Sequence, residues 1–201
     1  MPAAVEPLLT AARAGDPTAW GRLLEHYRPY LSLLAEGQVG RRLRVKADPA
    51  DLVQEAFLQA HRCFADFRGT SAAEFLDWLQ AILASRLDKL VRRYYGTQAR
   101  DVRREDDLAL DLSDASKRLD RALAAPGSSP SGRAADREEA VRAAAALDGL
   151  SADHRRVIVL RQLEGRPFPE VGALMGRSAG AATQLWMRAV NELQARLGVE
   201  P

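Results

Sequence analysis

Apolar side chains recur along this chain at intervals of three and four, the spacing that lines one side of an α-helix. Trp20, Leu23, Leu24, Tyr27, Leu31 and Leu34 form such a stripe between about Pro17 and Glu36. A second runs from about Pro49 to Phe64 with Leu52, Val53, Ala56, Phe57 and Ala60. A third, from about Ala72 to Tyr95, carries Phe75, Leu76, Leu79, Ile82, Leu83, Leu87, Leu90 and Val91. Each segment opens on a start signal. Asp16-Pro17 and Asp48-Pro49 set a side-chain acceptor before a proline at the first helical position, where its missing N–H costs nothing. Ser71-Ala72-Ala73-Glu74 has the spacing of a capping box, the serine bonding forward and the glutamate back. The three stripes need one another for burial, which predicts one helical domain over residues 1–101.

The periodicity lapses between Glu105 and Asp136. Ala125-Pro126-Gly127-Ser128-Ser129-Pro130-Ser131-Gly132 breaks helices, so residues 102–137 read as a linker, with one short helix expected around Ala115 to Leu123. Helical spacing returns over Glu138 to Leu147, Ala152 to Leu163 and two further segments, predicting a second domain over 138–201.

Composition agrees with this pattern. The 201 residues are 47% hydrophobic, enough for a core, but only 6% aromatic, and runs of alternating β-formers are missing. The expected fold class is all-α: two small helical domains joined by a flexible linker. No apolar run reaches the roughly 18 residues of a membrane span, and the first residues lack the basic start and apolar stretch of a signal peptide. A cytoplasmic protein with no membrane partner is expected. The single cysteine, Cys63, excludes an internal disulfide.

Charge changes the picture more. The net +2 divides into −1 over residues 1–40, +5 over 41–104, −4 over 105–140 and +2 over 141–201. Only Lys46, Lys89 and Lys117 are lysines; arginine, which suits phosphate and base-edge contacts, supplies the rest of the positive charge. Residues 86–104 hold 7 basic and 2 acidic side chains, with Tyr94 and Tyr95 among them. Guanidinium groups that hold phosphates beside aromatic faces that stack bases suit single-stranded DNA. Residues 105–116 carry −5 with no basic residue, and are expected to fold back over that basic strip in the free protein.

In the C-terminal half, a short helix from about Phe168 to Met175 is expected to bury Phe168, Val171 and Leu174, and Gly176 to supply a left-handed turn. Ser178 then caps a helix whose apolar side is Ala182, Leu185, Trp186, Ala189, Val190, Leu193 and Leu197. Two helices joined by about three residues containing glycine have the form of a helix-turn-helix. Gly180, Thr183, Gln184, Met187, Arg188 and Asn191 are left on the side that would face a major groove. Spacing alone leaves an ordinary helical hairpin open. In the N-terminal half, Asp51, Gln54, Glu55 and Gln59 form one mainly acidic face in an otherwise basic domain. That face suits a basic protein better than DNA, with a merely solvated face as the alternative.

Residues 165–189 resemble the helix-turn-helix of region 4 in sigma factors of the extracytoplasmic-function (ECF) group of the sigma-70 family. The resemblance rests on Phe168 and Glu170, the turn Gly176-Arg177-Ser178, and Leu185-Trp186-Met187-Arg188-Ala189. Asp48-Pro49-Ala50-Asp51-Leu52-Val53-Gln54-Glu55-Ala56-Phe57 is similar to region 2 of the same group. The resemblance implies that Asp48, Asp51, Gln54 and Glu55 dock on core RNA polymerase, with the beta-prime and beta subunits as partners. It implies that Phe67, Arg68, Trp78, Arg86, Lys89, Arg92, Arg93, Tyr94 and Tyr95 recognise and melt the promoter's -10 element, the loop from Phe67 to Ser71 lying beside a flipped base. On residues alone, Phe67 and Trp78 read equally as core. Arg177, Ser178, Gly180, Thr183, Gln184, Met187 and Arg188 are implied to read the duplex -35 element. An anti-sigma factor is a further implied partner. Ser85-Arg86 stands where the group usually has asparagine, and Ala179 and Thr183 where it often has an acid and a base.

Catalytic signals are missing. His26, His61 and His154 are scattered, no phosphate-cradling glycine loop is present, and neither a metal nor a cofactor is expected. Two rival readings are a stand-alone helix-turn-helix regulator of duplex DNA, which leaves the Asp51-Gln54-Glu55 face unexplained, and a helical anti-sigma or adaptor protein, which leaves the basic third helix without a task.

Overall fold

The structure is a computed structural model that describes residues 5–42, 48–95 and 133–198. The described residues are all-α, with eight helices and no strand. The chain divides into two compact units, Met1–Lys117 and Arg118–Pro201. Among the described residues no helix is long and apolar enough to cross a membrane.

In the N-terminal unit, α1 (Val5–Arg13), α2 (Pro17–Arg42), α3 (Pro49–Cys63) and α4 (Ala72–Tyr95) pack as α1 on α2, α2 on α3, and α3 and α2 on α4. The start signals act as their spacing predicts. Asp16 accepts from Thr18 N–H at 2.8 Å and Ala19 N–H at 3.3 Å, and Asp48 accepts from Ala50 N–H at 2.8 Å. Ser71 Oγ accepts from Glu74 N–H at 3.2 Å, while Glu74 Oε2 accepts from Ser71 N–H at 3.0 Å and Thr70 N–H at 2.8 Å. The α3 stripe is buried throughout, as are Phe75, Leu76, Leu79, Leu83 and Leu87 of α4. On α2 the stripe turns out wider than the sequence suggests. Tyr30 is fully enclosed, its hydroxyl accepting from Gln80 Nε2 at 3.3 Å, whereas Trp20 and Leu24 are half-buried.

Helix α1 has no counterpart in the expected elements. It is one short stretch, and Pro7 sits within its first turn. Its burial of Val5, Leu8, Leu9 and Ala12 against α2 is what makes it worth forming, at about 1.5–3 kcal/mol for each large apolar side chain. Gly15, at φ 90°, closes it: Asp16 N–H reaches Ala11 C=O at 3.1 Å and Gly15 N–H reaches Ala12 C=O at 3.0 Å, after which Asp16 caps α2.

The C-terminal unit holds α5 (Arg133–Asp148), α6 (Ala152–Ile158), α7 (Phe168–Leu174) and α8 (Ala179–Leu197), with α5, α6 and α7 all packed on α8. Helix α5 begins inside the segment expected to be linker. The remaining linker positions, the expected helix at 115–123 and the acidic run at 105–116 lie outside the described residues. Helix α6 opens on Ser151, whose Oγ accepts from His154 N–H at 3.3 Å. Instead of continuing as one α-helix to Leu163, the chain widens to a π-turn over Val159–Leu163, closed by Glu164 N–H to Val159 C=O at 2.9 Å. There Arg161 lies 4.9 Å from the Phe168 ring centroid and donates to Arg166 C=O at 3.1 Å.

Candidate nucleic-acid and protein interfaces

On α3 the polar side is fully presented. Asp48, Asp51, Gln54 and Glu55 are all exposed, and the structure brings them onto one side of the unit. The next position on that side, seven residues after Asp51, is Leu58, which is 51% exposed. Gln54 and Glu55 stand one turn before Leu58 and His61 and Arg62 one turn after it, all exposed. The acidic spacing was legible in the sequence. Leu58 was not singled out, although its offset from the buried stripe is the signal that could have found it.

The segment after α3 behaves differently. A 3₁₀ turn, Phe64–Asp66, delivers Phe67 inward, where its ring is 8% exposed and packs 4.9 Å from Trp78 and 5.5 Å from Phe75 between centroids. Phe64 and Trp20 extend the cluster at 4.3 Å. This corrects the expectation that Phe67 offers its ring to DNA: the ring is core, because five neighbouring aromatics bury more area together than one could on a loop. Gly69 lies directly over that ring. A Cβ there would come within 2.5 Å of Phe67 Cζ and 2.8 Å of Glu74 Cβ, so only glycine fits. Trp78 is half-buried at the edge of the cluster, and Arg68 is exposed, donating to Ala65 C=O at 2.9 Å.

Further along α4, Ser85, Arg86, Lys89 and Arg93 recur at helical spacing on the side that Trp78 begins. Lys89, Arg92 and Arg93 are exposed; Arg92 pairs with Asp88 at 2.7 Å. Arg86 is half-buried, and its Nε is enclosed without a hydrogen-bond partner. The side chains of Tyr94 and Tyr95 lie outside the described residues.

In the C-terminal unit α7 and α8 form the expected corner. Gly176 adopts φ 65°, and Arg177 N–H reaches Gly172 C=O at 2.8 Å while Gly176 N–H reaches Ala173 C=O at 3.3 Å, a Schellman closure. Ser178 Oγ then accepts from Ala181 N–H at 3.2 Å to start α8. Gly172, which the sequence reading passed over, is buried where a Cβ would lie 2.7 Å from Arg177 C=O. It lets the two helices approach. Val171, Ala182 and Ala189 are buried, and Phe168 meets Trp186 edge-on at 5.8 Å. The expected burial of Leu174 is corrected. It ends α7 with 44% of its surface exposed, because the corner turns the chain away before anything covers it.

Gly180, Gln184, Met187, Arg188 and Asn191 all stand exposed along one side of α8, Met187 at 55%. Three of the residues expected to read the -35 duplex are engaged within the protein. Thr183 donates to Ala179 C=O at 2.9 Å, and Arg177 holds Asp153 of α6 at 2.6 Å. Ser178 is likewise occupied as the cap. His154 bridges α6 to Glu192 of α8 at 2.7 Å. That contact, seconded by Arg196, holds the Glu192 carboxyl below the usual carboxylate range. Among the described residues no three His, Cys, Asp or Glu side chains converge on a point where a metal ion could sit.

A family model described as sigma-70, region 4 matches residues 146–195, which covers this corner. The chain is 27% identical over 182 residues to the ECF RNA polymerase sigma-E factor of Escherichia coli (strain K12), spanning 90% of this chain and 88% of that protein. It is 30% identical over 186 residues to the RNA polymerase sigma factor CarQ of Myxococcus xanthus, spanning 92% of this chain and 93% of CarQ. A solved structure of CnrH in complex with the cytosolic domain of CnrY is similar at 24% identity and a TM-score of 0.37, over 99% of this chain and 100% of that one. With region 4 matched and whole-length relatives at this identity, the chain belongs to the ECF group of the sigma-70 family.

Proposed function

We propose that this sigma factor divides its work by surface: the α3 face binds core RNA polymerase, on its beta-prime subunit, the loop after α3 and the basic side of α4 take the melted -10 strand, and α8 reads the -35 duplex. One observation carries the reading. The N-terminal unit presents two polar surfaces of opposite sign, the exposed carboxylates Asp48, Asp51 and Glu55 at the start of α3 and arginines with Lys89 on α4. A stand-alone DNA regulator has no use for a carboxylate surface that repels phosphate, whereas a subunit that must hold a protein and DNA at once needs both. In this reading Asp51, Gln54 and Glu55 supply steering and register, and Leu58 supplies the desolvated anchor. Arg86, Lys89, Arg92 and Arg93 hold phosphates, and Trp78 offers the aromatic edge of its cluster to an unstacked base. The reading assigns the chain no catalytic chemistry and places its action in the cytoplasm, where core polymerase is found.

The test is binding to core polymerase. Charge reversal by Asp51→Lys and Glu55→Lys should each cost about 2–5 kcal/mol of core affinity, because like charges then face each other. Circular dichroism should stay unchanged, since both side chains are exposed. Wild-type core affinity in both variants rejects the assignment of α3.

A further inference from the structure

The loop from Phe67 to Ser71 is tied at both ends by its own neighbours. At entry, Phe67 N–H reaches Phe64 C=O at 3.1 Å and Arg68 reaches Ala65 C=O at 2.9 Å. At exit, Glu74 receives the Thr70 and Ser71 N–H groups. Its middle is held by a residue more than fifty positions away in sequence. The Arg13 guanidinium, on the last turn of α1, donates to Gly69 C=O and, at 3.5 Å, to Phe67 C=O, while standing 5.5 Å from the Phe67 ring centroid. Arg13 is itself well placed to be rigid at its base. The buried side of α1 is docked on α2, and the Gly15 turn fixes where the helix ends.

Arg13, Trp20, His61, Phe64, Phe67 and Arg68 also line an open groove of about 670 Å³ beside the loop. The loop therefore has one wall supplied from α1, outside the stretch over which the sequence motifs run.

We propose that Arg13 is a positioning residue for promoter reading: by clamping the Phe67 and Gly69 carbonyls from α1, it holds the loop in the shape that meets the melted -10 strand. The proposal rests on the reading that this loop contacts that strand. Its physical logic is preorganisation. A loop whose central carbonyls are free samples other shapes, and each must be given up on binding the right base. Discrimination then falls even though no base-contacting group has been removed.

Holoenzymes carrying wild type, Arg13→Ala, Arg13→Lys and Arg68→Ala test it, with open-complex formation measured on a matched promoter and on promoters substituted singly at each -10 and -35 position. Arg13→Ala should lower discrimination at -10 by about tenfold, a difference of about 1.4 kcal/mol, and leave -35 discrimination and core affinity as they were. In the free protein, amide exchange at Gly69, Thr70 and Ser71 should quicken with no fall in melting temperature. Arg13→Lys should recover part of the selectivity, since its ammonium can still donate to a carbonyl but lacks the planar guanidinium that stands beside the Phe67 ring. Wild-type -10 discrimination in Arg13→Ala overturns the proposal, and so does an equal loss at -10 and -35 with a lowered melting temperature, which is a merely structural role. If Arg68→Ala loses -10 discrimination while Arg13→Ala keeps it, only the proposal falls. If neither variant changes it, the assignment of the loop falls as well.

Discussion

In the N-terminal unit two of the aromatic rings expected to meet unpaired bases, Phe67 and Trp78, lie in or at the edge of one cluster with Trp20, Phe64 and Phe75. The cations sit further along α4, out to Arg93, roughly 22 Å from Trp78 at the rise of an α-helix. In the C-terminal unit the side chains expected at base edges stand exposed in a row on α8, with one cation, Arg177, already engaged by Asp153. On the proposed division of work, the contrast follows from what each surface would meet. A duplex presents its edges in a groove of fixed shape, so exposed side chains on a rigid helix suffice. An unstacked base has no fixed place, so the protein must supply a shaped surface, and shape comes from packing.

The sharpest way to break this comparison is to remove a ring from the cluster and a side chain from the row. Phe67→Ala should destabilise the protein by about 3–5 kcal/mol in urea unfolding, the ordinary loss for an enclosed phenyl ring. Met187→Ala, at an exposed site, should change stability by under about 0.5 kcal/mol. Equal stability of Phe67→Ala and wild type would return Phe67 to the loop surface.

Next in size is base reading by α8. Gln184→Ala should relax preference at one -35 position by about 1–3 kcal/mol while affinities at the other positions keep their order. A uniform weakening at all positions, with a smaller salt slope, would instead make Gln184 a phosphate contact.

The ion pair between Arg177 and Asp153 gives a smaller effect. Both side chains are largely exposed, so the pair contributes no more than about 1 kcal/mol. Asp153→Asn should release Arg177 and tighten binding to matched and mismatched duplex alike, by up to that amount. A change in sequence preference would show that Arg177 reads a base.

The smallest effect is a pH dependence that the capping box of α4 predicts. Glu74 is held below the usual carboxylate range, chiefly by Thr70 N–H and then by the Ser71 hydroxyl and N–H. A depressed folded-state pKa means the cap stabilises fully above the unfolded-state value and is lost as pH falls through the folded-state one. Below the usual carboxylate range, exchange at Thr70 and Ser71 should therefore quicken beyond its intrinsic pH trend. Glu74→Gln should remove that excess, and an excess that persists in this variant would assign the titration elsewhere.

Much of the scaffold was legible residue by residue. Asp16, Asp48 and Ser71 with Glu74 act locally, within a few residues of themselves, so their spacing was enough to place the starts of α2, α3 and α4. The acidic face of α3 and the row on α8 were legible for the same reason, because helical periodicity alone sets which residues share a side. Helix α1 was missed, since a single short stripe earns its stability from α2 rather than from its own sequence.

The sequence by itself determined the helical stripes of α2, α3, α4, α7 and α8, the caps that start α2, α3, α4 and α8, the Gly176 corner and the sign of each polar surface, all of which follow from residues a few positions apart. Only the tertiary structure decided that Phe67 is core and Leu174 is not, that Gly69 and Gly172 have no room for a Cβ, and that Arg13 reaches across to Gly69. These depend on which distant surface arrives opposite each residue, and no periodicity along one helix carries that information.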